Sequence, residues 1–431
     1  MRRFRVQKAM RSRSADYTGA MSQSFDTLQL LRERGFVQQI SDEPALTALL
    51  ARGPVTFYAG FDPTASSLHV GSMIPLMAMA HLARAGHRPI AVLGGGTAMV
   101  GDPSGRTELR QMLTVDAIRE NRNAIEPQVR RFVADAGDKA NVVDNADWLA
   151  PLNYLTFLRD IGRHFSVNRM LAAEAYKQRM EKGLSFIEFN YQILQAYDYL
   201  VLYRQHGCAL QIGGDDQWGN ILAGTDLIRR LHQAETYALT FPLITTAAGA
   251  KMGKTAAGAV WLSPERTSPF DFYQYFVNVD DRDVGRFLKL LTFLPMDEIK
   301  RLEALEGAEL RIAKQALAFE TTAIVHGKEA AETAQNAARA AFGGGGGDLV
   351  PTHTIEGTAL SAGIKIVDIL AASGLAASKS AARRLVEQGG VRLGDRRVAS
   401  VDDIVKPEEI GPDGVLLYAG KKHVRRLTRK D

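Results

Sequence analysis

From residue 54 to 245 the chain alternates short apolar runs with longer stretches in which apolar residues recur every three or four positions. The runs at 55–58, 89–93, 141–144 and 209–212 have strand length, whereas 73–85 is an apolar stretch of helical length. This alternation predicts an α/β domain, a Rossmann-like doubly wound parallel sheet with helices on both faces. Ligands of such sheets sit at the carboxyl ends of the strands, where the strand order reverses. Upstream, Phe25, Leu28, Leu30 and Leu31 mark a first helix. From 271 to 341 the pattern is helical, residues 343–347 are all glycine and read as a flexible linker, and a third unit follows.

At 431 residues and 46% hydrophobic, the chain can bury two or three cores. It lacks the run of about 18 apolar residues that a membrane-spanning helix needs, so no membrane association is expected. The single cysteine, Cys208, excludes an internal disulfide framework and a cysteine-rich zinc site, and its apolar setting predicts burial. Arg2, Arg3, Arg5, Lys8, Arg11 and Arg13 stand against Asp16 in the first twenty residues. That balance suits a transit-like segment or a disordered extension. The second reading is adopted, for a cytoplasmic protein with residues 1–20 dispensable and its first domain starting near Met21. Residues 378–431 hold 13 Lys or Arg and 8 Asp or Glu, an excess equal to the whole chain's formal charge of +5. Charge gathered in this way suits a polyanionic partner, or else forms a solvated basic face.

The candidate chemistry lies in a few segments. Leu68-His69-Val70-Gly71-Ser72 follows a strand and a Gly60-Phe61-Asp62-Pro63 turn, and opens an apolar helix. Free N–H groups and the helix dipole make such a start an anion site. Lys251-Met252-Gly253-Lys254-Thr255, about 180 residues later, is a basic loop. The run from Gly94 to Asp102 is neither a dinucleotide fingerprint, because Met99 occupies the last glycine position, nor a Walker loop, because Asp102 occupies the lysine position. Its glycines are expected to let the backbone lie against a ligand, with Asp102 pairing with a cation. Tyr191, Gln195 and Asp198 share one helical stripe among apolar neighbours, which predicts a pocket for a polar ligand. Leu210-Gln211-Ile212-Gly213-Gly214-Asp215-Asp216-Gln217-Trp218 reads as a strand, a glycine turn and a helix start, where backbone can approach a nucleotide or where the helix is merely capped.

The His69 and Lys251 segments resemble the HIGH and KMSKS signatures of class I aminoacyl-tRNA synthetases. With Tyr58-Ala59-Gly60-Phe61-Asp62-Pro63-Thr64, Gly101-Asp102-Pro103-Ser104, the Tyr191 stripe and the Gly213 to Trp218 segment, the chain resembles the bacterial-type tyrosyl-tRNA synthetases from Met21 to its end. The resemblance implies an ATP-dependent tyrosine–tRNA ligase acting on L-tyrosine, ATP and tRNA(Tyr). A homodimer is implied too, with Mg2+ accompanying the phosphates and no metal held by the protein itself. Tyr58 and Asp198 would take the phenol. Asp102, Tyr191 and Gln195 would take the ammonium, with Gln211 and Gln217 lining the same pocket. Gly60, Asp62, Gly71, Gly214, Asp216, Met252, Gly253 and Thr255 would hold the nucleotide. Thr64, His69, Ser72, Arg106, Arg110, Lys251 and Lys254 would serve the phosphates and catalysis.

Two departures stand out: Ser72 replaces the second histidine of HIGH, and Asp215 replaces the usual serine, adding charge near the nucleotide. The tail resembles the S-four-like RNA-binding fold, with Lys379, Arg383, Arg384, Lys421, Lys422, Arg425 and Arg426 implied to grip tRNA phosphates. The expected domains are 21–248, catalytic; 249–342, the lysine loop and an α-helical anticodon-binding domain; 343–357, linker; and 358–431, a small α+β RNA-binding domain. Three rivals are a tryptophan enzyme of the same subclass, a catalytically silent RNA-binding protein and a small-molecule nucleotidyltransferase. The Tyr58–Asp198 pair, the intact His69, Lys251 and Lys254, and the basic tail argue against them in turn.

Overall fold

The structure, a computed structural model, describes residues 26–103, 112–172, 176–177, 180–181, 183–247, 249, 252–255, 258–343, 350–420 and 423–430, with only the backbone at Lys254, Thr255 and Phe342. Six strands form the first sheet: β1 (Gln39–Ile40), β2 (Thr56–Phe61), β3 (Arg88–Leu93), β4 (Asn141–Asp144), β5 (Leu210–Gly214) and β6 (Tyr237–Phe241). Their order is β1-β6-β5-β2-β3-β4, parallel except for β1 against β6. The chain leaves β2 toward β3 and β4 on one side, while β5 and β6 fill the other. The order therefore reverses between β2 and β5, where Tyr58 pairs with Gln211. Pairing of Gly60 with Val92 and Phe61 with Leu93 carries β2 past the expected 55–58, so the first two residues of the expected turn are strand.

Helices cover both faces. On one, α1 (Thr27–Arg34), α2 (Met73–Arg84) and α3 (Val115–Val133) join the main core with Phe57, Ala59 and Leu210. On the other, α4 (Phe186–His206) and α5 (Trp218–His232) pack with Tyr58, Ile90 and Val92. The start of α4 is set by a capping box, in which Ser185 Oγ accepts from Glu188 N–H and the Glu188 carboxylate accepts from Ser185 N–H. Gly207, in the left-handed region at φ 60°, ends the helix. These fixed ends orient the Tyr191, Gln195 and Asp198 stripe toward the sheet, where all three are buried.

A helical unit follows: α6 (Pro269–Val277), α7 (Val284–Leu291), α8 (Leu310–His326) and α9 (Lys328–Gly343), with the buried Phe272, Phe276, Phe287 and Leu288 continuous with the main core. The last unit is a five-stranded sheet of β7 (Thr352–Glu356), β8 (Val391–Leu393), β9 (Arg396–Arg397), β10 (Val415–Ala419) and β11 (His423–Lys430), in the order β9-β8-β10-β11-β7. Two of its helices are α10 (Ile366–Ala372) and α11 (Lys379–Glu387), and it has its own apolar core. Because β7 pairs in parallel with β11, residues 352–356 belong to this sheet and not to the expected linker. The tail sheet docks on the helical unit through Val424 and Val350 against Phe270, Ala337 and Ala341, and Tyr418 Oη donates to the Ala341 carbonyl at 3.2 Å.

Candidate active site

The polar groups of the first sheet lie along β2 and β5 and just past the carboxyl ends of β2, β3, β4 and β5. Tyr58 and Gln211, paired in register, are each 1% exposed, and Tyr58 Oη and Gln211 Oε1 find no hydrogen-bond partner among the described residues. Buried oxygens of this kind are costly unless a ligand supplies a partner. Burial pushes the Tyr58 hydroxyl pKa well up, and the Asp198 charge adds to the effect. Asp198 itself accepts from Asn145 Nδ2 at 2.9 Å and from Trp148 Nε1 at 2.7 Å. These bonds favour its charged form, but desolvation outweighs them and the pKa rises to about 7.

Asn145 is a hub. Its Oδ1 accepts from the Gly96 and Thr97 N–H groups, and its Nδ2 donates to Thr97 Oγ1 at 2.9 Å as well as to Asp198. The orientation of the amide follows from these partners. Thr97 Oγ1 donates in turn to Asp62 Oδ1 at 2.8 Å, and Tyr191 Oη donates to Asp62 Oδ2 at 3.2 Å. A continuous polar chain thus links the two carboxylates, Asp62 and Asp198. Alongside it, Gln195 Nε2 donates to Gln217 Oε1 at 3.1 Å, and Gln195 Oε1 accepts from Asn220 Nδ2 at 3.0 Å. Asp102 is half-buried close enough to Tyr176 for its charge to add to the burial that raises that hydroxyl.

The two distant motifs meet. His69 is the extended N-cap of a 3-10 turn, Val70–Ser72, that leads into α2; it is exposed, and its ring lies 6.3 Å from that of Trp261. Backbone bonds tie Val70 N–H to Val260 O at 2.9 Å and Leu262 N–H to Leu68 O at 2.8 Å. A side chain added at Gly253, whose φ is +79°, would stand 3.3 Å from Gly71 N and 3.2 Å from Val70 Cβ. One at Gly71 would strike the His69 ring at 2.8 Å. Glycine at both places is what lets the lysine loop lie on the His69 turn. Met252 is 4% exposed beneath it, and the backbones of Lys254 and Thr255 form a short hairpin with Gly258–Ala259. Thr64 is exposed just beyond β2, and Ser72 closes the turn with its N–H on His69 O. Lys251, Arg106, Arg110, Lys421 and Lys422 lie outside the described residues.

Several expectations change. A Cβ at Gly94 would meet Asp62 Oδ1 at 2.0 Å, one at Gly95 would meet Asp144 Oδ1 at 2.3 Å, and one at Gly96 would meet Leu149 at 2.9 Å. These glycines make room for the protein's own side chains. Asp215 Oδ1 accepts from Gln39 Nε2 and Thr240 Oγ1, both at 2.7 Å, so its charge is engaged by the β1–β6 edge and is not presented to a nucleotide. Asp216 lies by Gly214, with Oδ1 2.5 Å from where a Cβ on Gly214 would be. In the tail, Arg383 and Arg384 are exposed on α11, and Lys379 holds an exposed ion pair with Asp368 at 2.7 Å. Arg425 is committed to Asp271 and Arg426 to the Asp413 carbonyl, so neither presents a free guanidinium. Sequence reasoning missed Asn145, Trp148 and Thr97. Of these only Asn145 had a local signal, a polar residue directly after a strand end.

Residues 50–343 match the family model of tRNA synthetases class I (W and Y), and residues 364–410 match the S4 domain. A tyrosine–tRNA ligase of Caldanaerobacter subterraneus subsp. tengcongensis is 52% identical over 404 residues, 94% of this chain and 99% of the relative. One of Acetivibrio thermocellus is 51% identical over 408 residues, 94% and 99% of the two chains. The structure of a C-terminally truncated mitochondrial tyrosyl-tRNA synthetase of Aspergillus nidulans superposes with a TM-score of 0.66 at 32% identity, covering 74% of this chain and 94% of that one.

Proposed function

The chain belongs to the class I tRNA synthetase family of the tryptophan and tyrosine enzymes, its reaction is the ATP-dependent ligation of tyrosine to tRNA, and on that premise we propose how its residues divide the work. The unpartnered oxygens of Tyr58 and Gln211 beside Asp198 carry the assignment. A phenol donating to the Asp198 carboxylate and accepting from Tyr58 Oη satisfies two costly buried groups at once, which an apolar side chain cannot do. Asp102, Tyr191 and Gln195, with Gln217 nearby, receive the ammonium end.

The tyrosine carboxylate then attacks the α-phosphorus of ATP, forming the mixed anhydride tyrosyl-AMP and expelling pyrophosphate. The protein contributes position and charge and forms no covalent intermediate. Gly60, Asp62, Gly71, Gly214, Asp216, Met252, Gly253 and Thr255 hold the nucleotide. Thr64 and His69, with Arg106, Arg110, Lys251 and Lys254, stabilise charge on the departing phosphates. Ser72, shorter than the histidine of the signature, keeps at most a weak ribose contact. Magnesium enters with the ATP phosphates as part of the substrate. In the second step the terminal ribose hydroxyl of tRNA(Tyr) attacks the acyl carbon and AMP leaves.

The same reading assigns 21–248 to catalysis, 249–342 to the lysine loop and anticodon binding, and the unit that begins with β7 to RNA, with the cytoplasm as the compartment where the tRNA is found. A homodimer is supported by the exposed apolar side chains of Tyr154, Leu155, Leu158, Val167, Met180 and Phe186, each between 48% and 73% exposed. ATP–pyrophosphate exchange measured with a panel of amino acids tests the whole assignment. Exchange with tyrosine is expected, and exchange with tryptophan or with none would overturn it.

A further inference from the structure

The lysine loop and the segment that leads into it are held by the helical unit at three points. Gly253 N–H donates to Tyr275 Oη of α6 at 3.2 Å. Ala247 N–H donates to Asp283 Oδ2 at 2.8 Å, and Arg286, itself paired with Asp283 at 2.9 Å, donates to the Thr245 carbonyl. Asp283 is 3% exposed, so its bond from Ala247 N–H is shielded from water, while Arg286 reaches it from the surface. Met252 N–H is tied to Ile244 O at 3.1 Å, and Gly253 O accepts from Val260 N–H at 2.8 Å. Residues 252 and 253 are therefore pinned between α6 and the His69 turn, immediately beside Lys254.

Resting on the functional reading above, we propose that Tyr275 is a positioning residue for adenylate formation: its phenol oxygen fixes the Gly253 backbone so that the flanking lysines meet the pyrophosphate as charge develops on it. Tyr275 touches neither the tyrosine pocket nor the reacting atoms. The contribution appears only in the transition state, because the lysines act on leaving-group charge that the ground state lacks.

Tyr275→Phe removes one oxygen and keeps the ring. Single-turnover adenylate formation is expected to slow about tenfold or more, the loss of one partner from a buried N–H. Tyrosine affinity should stay within about twofold of wild type. A general structural role would lower tyrosine affinity and thermal stability together, and that outcome overturns the proposal. A double-mutant cycle adds a second reading. If Tyr275 acts through the loop lysines, its substitution has little effect in the Lys254→Ala background, whereas additive losses refute it. Wild-type exchange activity separates the two levels: a wild type inactive with tyrosine refutes the functional reading, while an active wild type with an equally fast Tyr275→Phe refutes only the role of Tyr275.

Discussion

Arg425 and Asp271, 154 residues apart, form a two-point ion pair in which Nη1 and Nη2 stand 2.8 and 2.7 Å from the carboxylate oxygens. The side chains are 16% and 28% exposed, so the pair is partly desolvated and joins β11 of the tail to the first turn of α6. Ser268 caps that turn and donates to the same carboxylate at 2.7 Å, which fixes its direction. The guanidinium is thus a structural tie between units.

Arg425→Met leaves Asp271 half-covered without its cation, and the loss is expected to be on the order of 2 kcal/mol of docking free energy, discounted for partial exposure. The tail should separate from the helical unit, raising the radius of gyration in small-angle scattering, while tyrosine-dependent exchange persists. An unchanged scattering profile would show that the apolar contacts of Val424 and Val350 suffice alone.

The pKa of Asp198, raised to about 7 by burial, sets a pH dependence. The folded protein holds a proton that the unfolded chain has already released, so this group's effect on the stability of the unliganded protein declines as pH rises from about 4 to about 7. Tyrosine binding needs the carboxylate to accept a hydrogen bond from the phenol and should strengthen over the range around pH 7. Asp198→Asn should flatten both profiles. Trp148→Phe, which removes a donor to the charged form, should move the midpoint upward. Calorimetric titration with tyrosine and thermal melts from pH 5 to 8.5 check this, and a flat wild-type binding profile would remove Asp198 from the phenol site.

Lys254→Ala is expected to slow adenylate formation about a hundredfold, the loss of roughly 3 kcal/mol of charge stabilisation, with tyrosine affinity nearly unchanged because the lysine is remote from the amino acid. Single-turnover kinetics resolve the two quantities. Weak tyrosine binding with a normal adenylation rate would contradict the assignment.

What the sequence revealed depended on local periodicity. Tyr191, Gln195 and Asp198 were legible as one stripe because the helical repeat places them together whatever the surroundings. The meeting of the His69 turn with Gly253 was legible only through resemblance, since no local pattern joins segments so far apart. Asn145 and Trp148 reach Asp198 across 53 and 50 residues; the strand end before Asn145 marks its position but not its partner, and nothing near Trp148 marks it at all. Nothing in the sequence showed that the small size of the glycines at 94–96 also serves Asp62, Asp144 and Leu149, neighbours that only the fold supplies. Arg425 failed for the same reason: a tail arginine looks alike in sequence whether it faces solvent or a carboxylate.

That distinction gives the last prediction. Arg383 and Arg384 are exposed on α11, whereas Arg425 is spent on Asp271, so the three should differ in how they affect binding to tRNA. Each phosphate neutralised by a cation releases counterions and adds about 0.7 to 0.9 to the slope of log affinity against log salt. Arg383→Ala with Arg384→Ala should weaken tRNA binding and make that slope shallower by about 1.5, for two lost contacts. Arg425→Met should leave the slope within error of wild type, even where release of the tail lowers the affinity. Truncation after Phe342 removes every tail contact, so it should give the shallowest slope and impair charging severely, while tyrosine activation continues on residues that all precede the cut. Filter-binding titrations across a salt series, run beside tyrosylation assays, decide the matter. Equal slopes for wild type and the α11 double variant would mean that this helix does not contact the tRNA backbone.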